Sequence, residues 1–306
     1  MYEEDIDKVK EKYLEILQEE PDNIYAILEI ADIYRKQSDF HNAILYCQQV
    51  LKLEPDNVQV YLLLGDIYSQ LENFDDAIEE YLKFLEYEPR HFEVIFKIGI
   101  LYFYTERLND AEQLLKIANN IKPNEAKVYY YLGMIFEAKN MFKEAIREYE
   151  KYNDLVDDKE KLFFKIAILY TQIKEYNKAI PNYEKSIKLD PTKFENYYYL
   201  AQTYYLLNDY PKAVKYYLRA IQIQPYNVDS HLELAESLLI LGEIKKALKE
   251  YEKVLEFDPN NINAHLGLVS IYMNLGNYRK VYNELSIIIN LDPDNSEARD
   301  LLNTII

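Results

Sequence analysis

The prolines of this chain fall at a fixed spacing. Pro21, Pro55, Pro89, Pro123, Pro191, Pro225, Pro259 and Pro293 follow one another at 34 residues, apart from one doubled gap of 68. The mark missing from that gap falls on Asp157. A period of this length signals stacked supersecondary units, none of which can bury its apolar face alone. Eight full repeats result, at 24–57, 58–91, 92–125, 126–159, 160–193, 194–227, 228–261 and 262–295. Residues 1–23 read as a leading half-repeat and 296–306 as a partial capping helix, so the sequence predicts a single array over 1–306.

Equivalent positions carry side chains of equivalent size. Position 8 reads Ala31, Gly65, Gly99, Gly133, Ala167, Ala201, Ala235, Val269, and position 20 is Ala from Ala43 to Ala247, then Val281. Position 11 is Tyr in six of the eight repeats, with Phe136 and Leu238 in the other two. Positions 4, 7, 8 and 11 share one helical face, as do 17, 20, 24 and 27. Each repeat is therefore two amphipathic helices that approach closely at the small residues. The turns between them carry Asn, Asp and Gly, as in NFDDA and LGNYRKV. Six glycines and ten prolines in 306 residues leave little material for the turns of a β-rich fold. Loss of the proline at Asp157 predicts a longer second helix or a looser junction between repeats four and five. Hydrogen exchange at 154–160 faster than at the other junctions checks this.

The pattern resembles the tetratricopeptide repeat (TPR) family over essentially the whole chain. In repeat two, Tyr61, Leu64, Gly65, Tyr68, Phe74, Ala77, Tyr81 and Pro89 occupy the signature places. The resemblance implies an all-α fold, a right-handed superhelical solenoid of about eight helix-turn-helix units plus terminal part-units, with first helices lining a concave groove. It also implies an adaptor or scaffold that binds a protein or peptide ligand, and no catalytic residue. The family's chaperone-tail binders grip a carboxylate with Lys and Asn at set positions. Here Phe96, Ile100 and Tyr131 stand in those places, and only Lys161 and Lys165 match in charge.

Charge and composition exclude other classes. Lys and Arg number 35 against 53 acids, a net of −18. Nucleic-acid affinity comes largely from cations on phosphates, so nucleic acid is a poor partner for this chain. The sequence lacks an 18-residue apolar run and a secretory pattern, which predicts a soluble, cytoplasmic protein without membrane insertion. Residues 1–90 hold 22 acids and 8 bases, a field that favours encounter with basic partners. Cys47 is the single cysteine, too few for a disulfide framework or a Cys-based zinc site. His231 and His265 share position 4 of successive repeats, but neighbouring first helices lie too far apart for one zinc ion. They read instead as substitutes for Tyr61, Tyr129 and Tyr197. No phosphate loop or HExxH is present. The sequence thus predicts no enzyme, no cofactor and no metal site.

Tyrosine, at 32 residues, exceeds what the signature places use. Positions 2, 5, 9 and 12 of the first helices should line the groove. There the chain is apolar in repeats three to six: Phe96, Ile100, Phe103, Tyr130, Met134, Phe164, Ile168, Tyr198 and Tyr205. Such a strip marks a binding surface, although position 5 could equally pack on a neighbouring helix. Lys127, Lys161 and Lys165 border it, with Lys97, and bias the groove towards acidic groups. The apolar C-terminal residues Leu301, Leu302, Ile305 and Ile306 either fold back over repeat eight or allow self-association.

Overall fold

The computed structural model describes residues 3–157 and 160–305, without the side chains of residues 3–5, 160 and 161. They form an all-α repeat solenoid of eighteen helices with no strand among them. Helix α1 (Glu3–Glu19) leads. Then come the pairs α2 (Ile24–Lys36) and α3 (Phe40–Leu53), α4 (Val58–Gln70) and α5 (Phe74–Tyr87), α6 (Phe92–Tyr104) and α7 (Leu108–Ile121), and α8 (Ala126–Ala138) and α9 (Phe142–Leu155). The series continues with α10 (Glu160–Gln172) and α11 (Tyr176–Leu189), α12 (Phe194–Leu206) and α13 (Tyr210–Ile223), α14 (Val228–Ile240) and α15 (Ile244–Phe257), and α16 (Ile262–Asn274) and α17 (Tyr278–Leu291), before α18 (Ser296–Ile305). Each first helix begins at the first residue of its repeat, and each second helix at position 17.

The helices gather into two compact bodies, Met1–Leu155 and Val156–Ile306. The division falls where Asp157 replaces the proline. Helix α9 ends after 14 residues like the other second helices, so the lost proline does not lengthen it. Residues 158 and 159 of the expected loose junction lie outside the described residues.

One turn design recurs within both bodies. The residue at position 15 has a left-handed backbone, at φ 61° in Ser38, 59° in Glu72, 60° in Lys174 and 76° in Gly242. The next residue then donates its N–H back to the carbonyl of position 11, as from Asn73 to Tyr68 and from Glu243 to Leu238, both at 2.9 Å. This closes the helix end and satisfies a carbonyl that would otherwise be orphaned. Gly242 and Gly276 adopt this φ without a Cβ penalty, whereas Glu72 and Lys174 do not. Lys174→Gly is therefore expected to raise stability by up to about 1 kcal/mol, measured by urea denaturation.

In each body the core is a column of second-helix side chains at position 24. Cys47, Tyr81, Leu115, Tyr149, Tyr183, Tyr217, Tyr251 and Leu285 are all buried. A Cβ on Gly65 would stand 2.5 Å from the Tyr81 ring, so that glycine is what lets the ring reach α4. Burial pushes the Cys47 thiol up to about 12, which leaves it inert. Helix α18 packs on α17, with Ala298 buried and Leu301, Leu302 and Ile305 half-buried. The C-terminal residues thus fold back over repeat eight; Ile306 lies outside the described residues.

Candidate functional site

The first-helix face can be located from its hollows. In the N-terminal body a hollow of about 370 Å³ opens between α2 and α4, lined by Tyr25, Leu28, Glu29 and Asp32 and by Gln59, Leu62, Leu63 and Asp66. These are positions 2, 5, 6 and 9 of successive repeats, which adds position 6 to the groove-lining set. A second hollow, of about 610 Å³, lies between repeats two and three and is lined by Phe74, Lys97, Ile100 and Tyr104 among others.

Of the apolar residues expected in the groove of this body, Phe96, Phe103 and Tyr130 are brought together through Tyr131. The Phe96 ring meets Tyr131 edge-on at 5.7 Å, and Phe103 meets both Tyr104 and Tyr131. Tyr130 contacts Tyr131 at 5.6 Å and also the buried Tyr149 at 6.2 Å. Phe96, Ile100, Phe103, Tyr130 and Met134 are all half-buried, and Lys127 is exposed. In the C-terminal body, Phe164 and Tyr198 repeat the same contact, with Tyr183 at 6.0 Å and Tyr217 at 6.0 Å. Ile168, Tyr205 and Lys165 are half-buried as well. The side chain of Lys161 lies outside the description. The half-buried position-5 rings of Tyr130, Phe164 and Tyr198 each rest on a core tyrosine. Helical geometry explains this, since position 5 follows the signature position 4 by only about 100°.

The lysines divide differently from the expectation of a basic bias. The Lys97 ammonium is bound to Asp66 Oδ1 at 2.5 Å and sits 5.5 Å from the centre of the Tyr81 ring, so its charge is already matched. Carboxylates hold the polar positions of this face. Tyr81 donates its hydroxyl to Asp66 Oδ1, Tyr149 to Glu137, and Tyr217 to Glu233. Asp32 is paired with Arg35 at 2.7 Å and Lys36 at 2.6 Å. Burial alone would raise the Asp32 carboxyl, but these two cations together hold it below the ordinary range. The pairing of a position-24 tyrosine with a groove carboxylate escaped sequence reading. A carboxylate 12 to 16 residues from its tyrosine carries no local signal until the helix pair is docked.

His231 and His265 take the tyrosine slot, as their register predicts. Tyr61 and Tyr197 donate their hydroxyls to the carbonyls of Pro55 and Pro191, at 2.8 and 3.1 Å. The Nε2 atoms of His231 and His265 lie 2.9 and 3.2 Å from the Pro225 and Pro259 carbonyls. Each Nδ1 faces a second-helix carboxylate, Glu250 at 2.6 Å and Glu284 at 2.7 Å. His231→Phe strips both partners of a bond and is expected to cost about 1–3 kcal/mol. His231→Tyr restores the proline contact and should cost less. Urea denaturation of the two variants checks the order, and a Phe variant as stable as the Tyr variant would contradict it. Among the described residues no group of three or more His, Cys, Asp and Glu side chains is placed to hold a metal ion. No described helix is long and apolar enough to cross a membrane.

Helix pairs that follow one another at constant period within each body define a helical-repeat interaction scaffold. Residues 34–89 and 238–305 match the tetratricopeptide repeat family. Residues 172–254 match anaphase-promoting complex, cyclosome, subunit 3. The chain belongs to the tetratricopeptide repeat family, whose repeats generally serve protein interaction rather than catalysis. Similar solved structures include the C-terminal part of a TPR repeat-containing protein from Cytophaga hutchinsonii, at 21% identity over 77% of this chain and 97% of that one, with a TM-score of 0.66. MamA is 24% identical over 56% of this chain and 94% of its own, with a TM-score of 0.52. PilF from Pseudomonas aeruginosa is 16% identical over 70% and 97%, with a TM-score of 0.51. At these identities the likeness speaks for the fold alone. No curated protein sequence matches the chain.

Proposed function

We propose that this chain is a non-enzymatic adaptor whose first-helix face accepts an extended or helical segment of a partner protein. The observation that carries the reading is the row of half-buried apolar side chains at positions 5, 9 and 12. In the N-terminal body it comprises Phe96, Ile100, Phe103, Tyr130 and Met134, with Lys127 beside them. In the C-terminal body it comprises Phe164, Ile168, Tyr198 and Tyr205, with Lys165 beside them; Lys161, expected there from its register, has its side chain outside the described residues. Rings held by their neighbours lose little entropy on binding, which suits tyrosine to the centre of an interface. Met134 adds a side chain that adapts to an imperfect fit. Met134→Glu and Ile168→Glu, on half-buried groove positions, test the reading. Each is expected to weaken a captured partner at least tenfold by placing an unpaired charge in the contact. A partner held equally by both variants would move the site off this face.

A second reading is favoured by a separate feature of the C-terminal body. Leu206 and Leu207, Ile240 and Leu241, and then Leu275 and Tyr278 are exposed at the turn edge of repeats six, seven and eight. Such a ridge suits self-assembly through the C-terminal end. Light scattering that shows a mass rising with concentration, and falling back in Leu241→Glu with Leu275→Glu, would support it.

A further inference from the structure

We infer that the apolar ridge of repeats six to eight docks on the turn edge of repeats two and three in a second copy of this chain, with Leu275 entering the hollow beside Phe74 and Tyr104. The inference rests on the self-assembly reading above and names the surface that the ridge meets. The hollow of about 610 Å³ is lined on one side by Gln70, Glu72 and Phe74 and on the other by Ile100 and Tyr104, among others. The Phe74 and Tyr104 rings stack at 6.1 Å, and Tyr104 is 57% exposed. Lys97 also reaches the hollow, with its charge already matched by Asp66. The ridge supplies what an apolar hollow takes. Leu275 is its most exposed leucine, at 62%, and Leu241 and Tyr278 stand out beside it.

Charge selects the pairing. The turn edge comprises positions 14–19 of each repeat. Repeats one to three hold six acids and one base there, whereas repeats six to eight hold two acids and five bases. The reversal is plain at position 18, which is Asp75 in repeat two, Lys245 in repeat seven and Arg279 in repeat eight. All three are exposed, and none of them, nor Glu72 on the rim of the hollow, forms an ion pair among the described residues. Ridge on ridge would bury the same leucines, but it sets Lys245, Lys246 and Arg279 against their own copies. Acidic edge on acidic edge fails in the same way. Opposite edges alone join the leucines to an apolar hollow with complementary charge around it, and like charges brought face to face work against both affinity and encounter. Such a contact is heterologous. A pair leaves one acidic and one basic edge free, so a third copy can add until a ring closes or a filament grows.

The test uses the full chain in two charge-reversed forms. The first carries Glu72→Lys, Asp75→Lys and Asp76→Lys, and the second carries Lys245→Glu, Lys246→Glu and Arg279→Glu. Other repeats already hold a lysine at each place changed in the first form, in Lys174, Lys245 and Lys246, so that form is expected to fold. Light scattering of the parent should show a mass that at least doubles on concentration. Either reversed form alone should stay at the monomer mass over the same range. An equimolar mixture of the two should regain the parent's assembly, because each acidic edge again meets a basic one. A mixture that stays monomeric would overturn the inference. Assembly of either form alone as strong as the parent's would also overturn it, and would leave self-assembly through the ridge standing. A parent that stays monomeric at every concentration would overturn both.

Discussion

Replacing Tyr217 by Ala is expected to lower the stability of the chain by about 4 kcal/mol. The ring is fully buried in the position-24 column, with the Tyr198 ring 6.0 Å away and its own hydroxyl bound to Glu233. Truncation opens a cavity in the core and takes a donor from a carboxylate that no Lys or Arg among the described residues pairs with. Tyr217→Phe separates the two losses. It keeps the ring and removes the hydroxyl, at a cost of about 1.5–3 kcal/mol for a bond to a charged group. Urea denaturation followed by circular dichroism reads both. An Ala variant within 1.5 kcal/mol of the parent would mean that the column is not the core.

The double variant Tyr130→Ala with Tyr198→Ala is expected to cost at least ~2 kcal/mol of partner binding, a factor of about 30, if both rings are hot spots. The sequence predicts that folding survives this change largely intact, because neither residue belongs to the signature face. The contacts with Tyr149 and Tyr217 modify that expectation. Each truncation also uncovers part of a core tyrosine, so a stability loss of roughly 1–2 kcal/mol per site accompanies the binding loss. Affinity must then be measured well below the melting temperature of the variant. A folded double variant with parental affinity would show that the two rings serve only the core.

The repeat register was legible because its signals are local. The 34-residue proline period, the small residues at positions 8 and 20 and the turn composition each act within one helix pair, and the helices begin where they indicate. The slot shared by Tyr61, Tyr197, His231 and His265 was legible for the same reason, since each reaches a carbonyl six residues away. Features that join helices were not. The pairing of Tyr81 with Asp66, or of Tyr217 with Glu233, depends on how two helices dock. Charge pattern alone assigns Lys97 to an incoming ligand, whereas Asp66 already holds it. Position 5 proved intermediate, since its side chains look both ways. The missing proline at Asp157 marked the place where the two bodies divide, yet α9 stops at its usual length.

The most direct measurement of the central claim is a hydrogen-exchange footprint of the full chain with and without a captured partner. Added protection is expected in the first helices, at residues 92–104 and 126–138 of the N-terminal body and 160–172 and 194–206 of the C-terminal body. The second helices between them should be unaltered. Protection confined to the second helices, or to the turn edge around Leu241 and Leu275, would contradict a first-helix binding face.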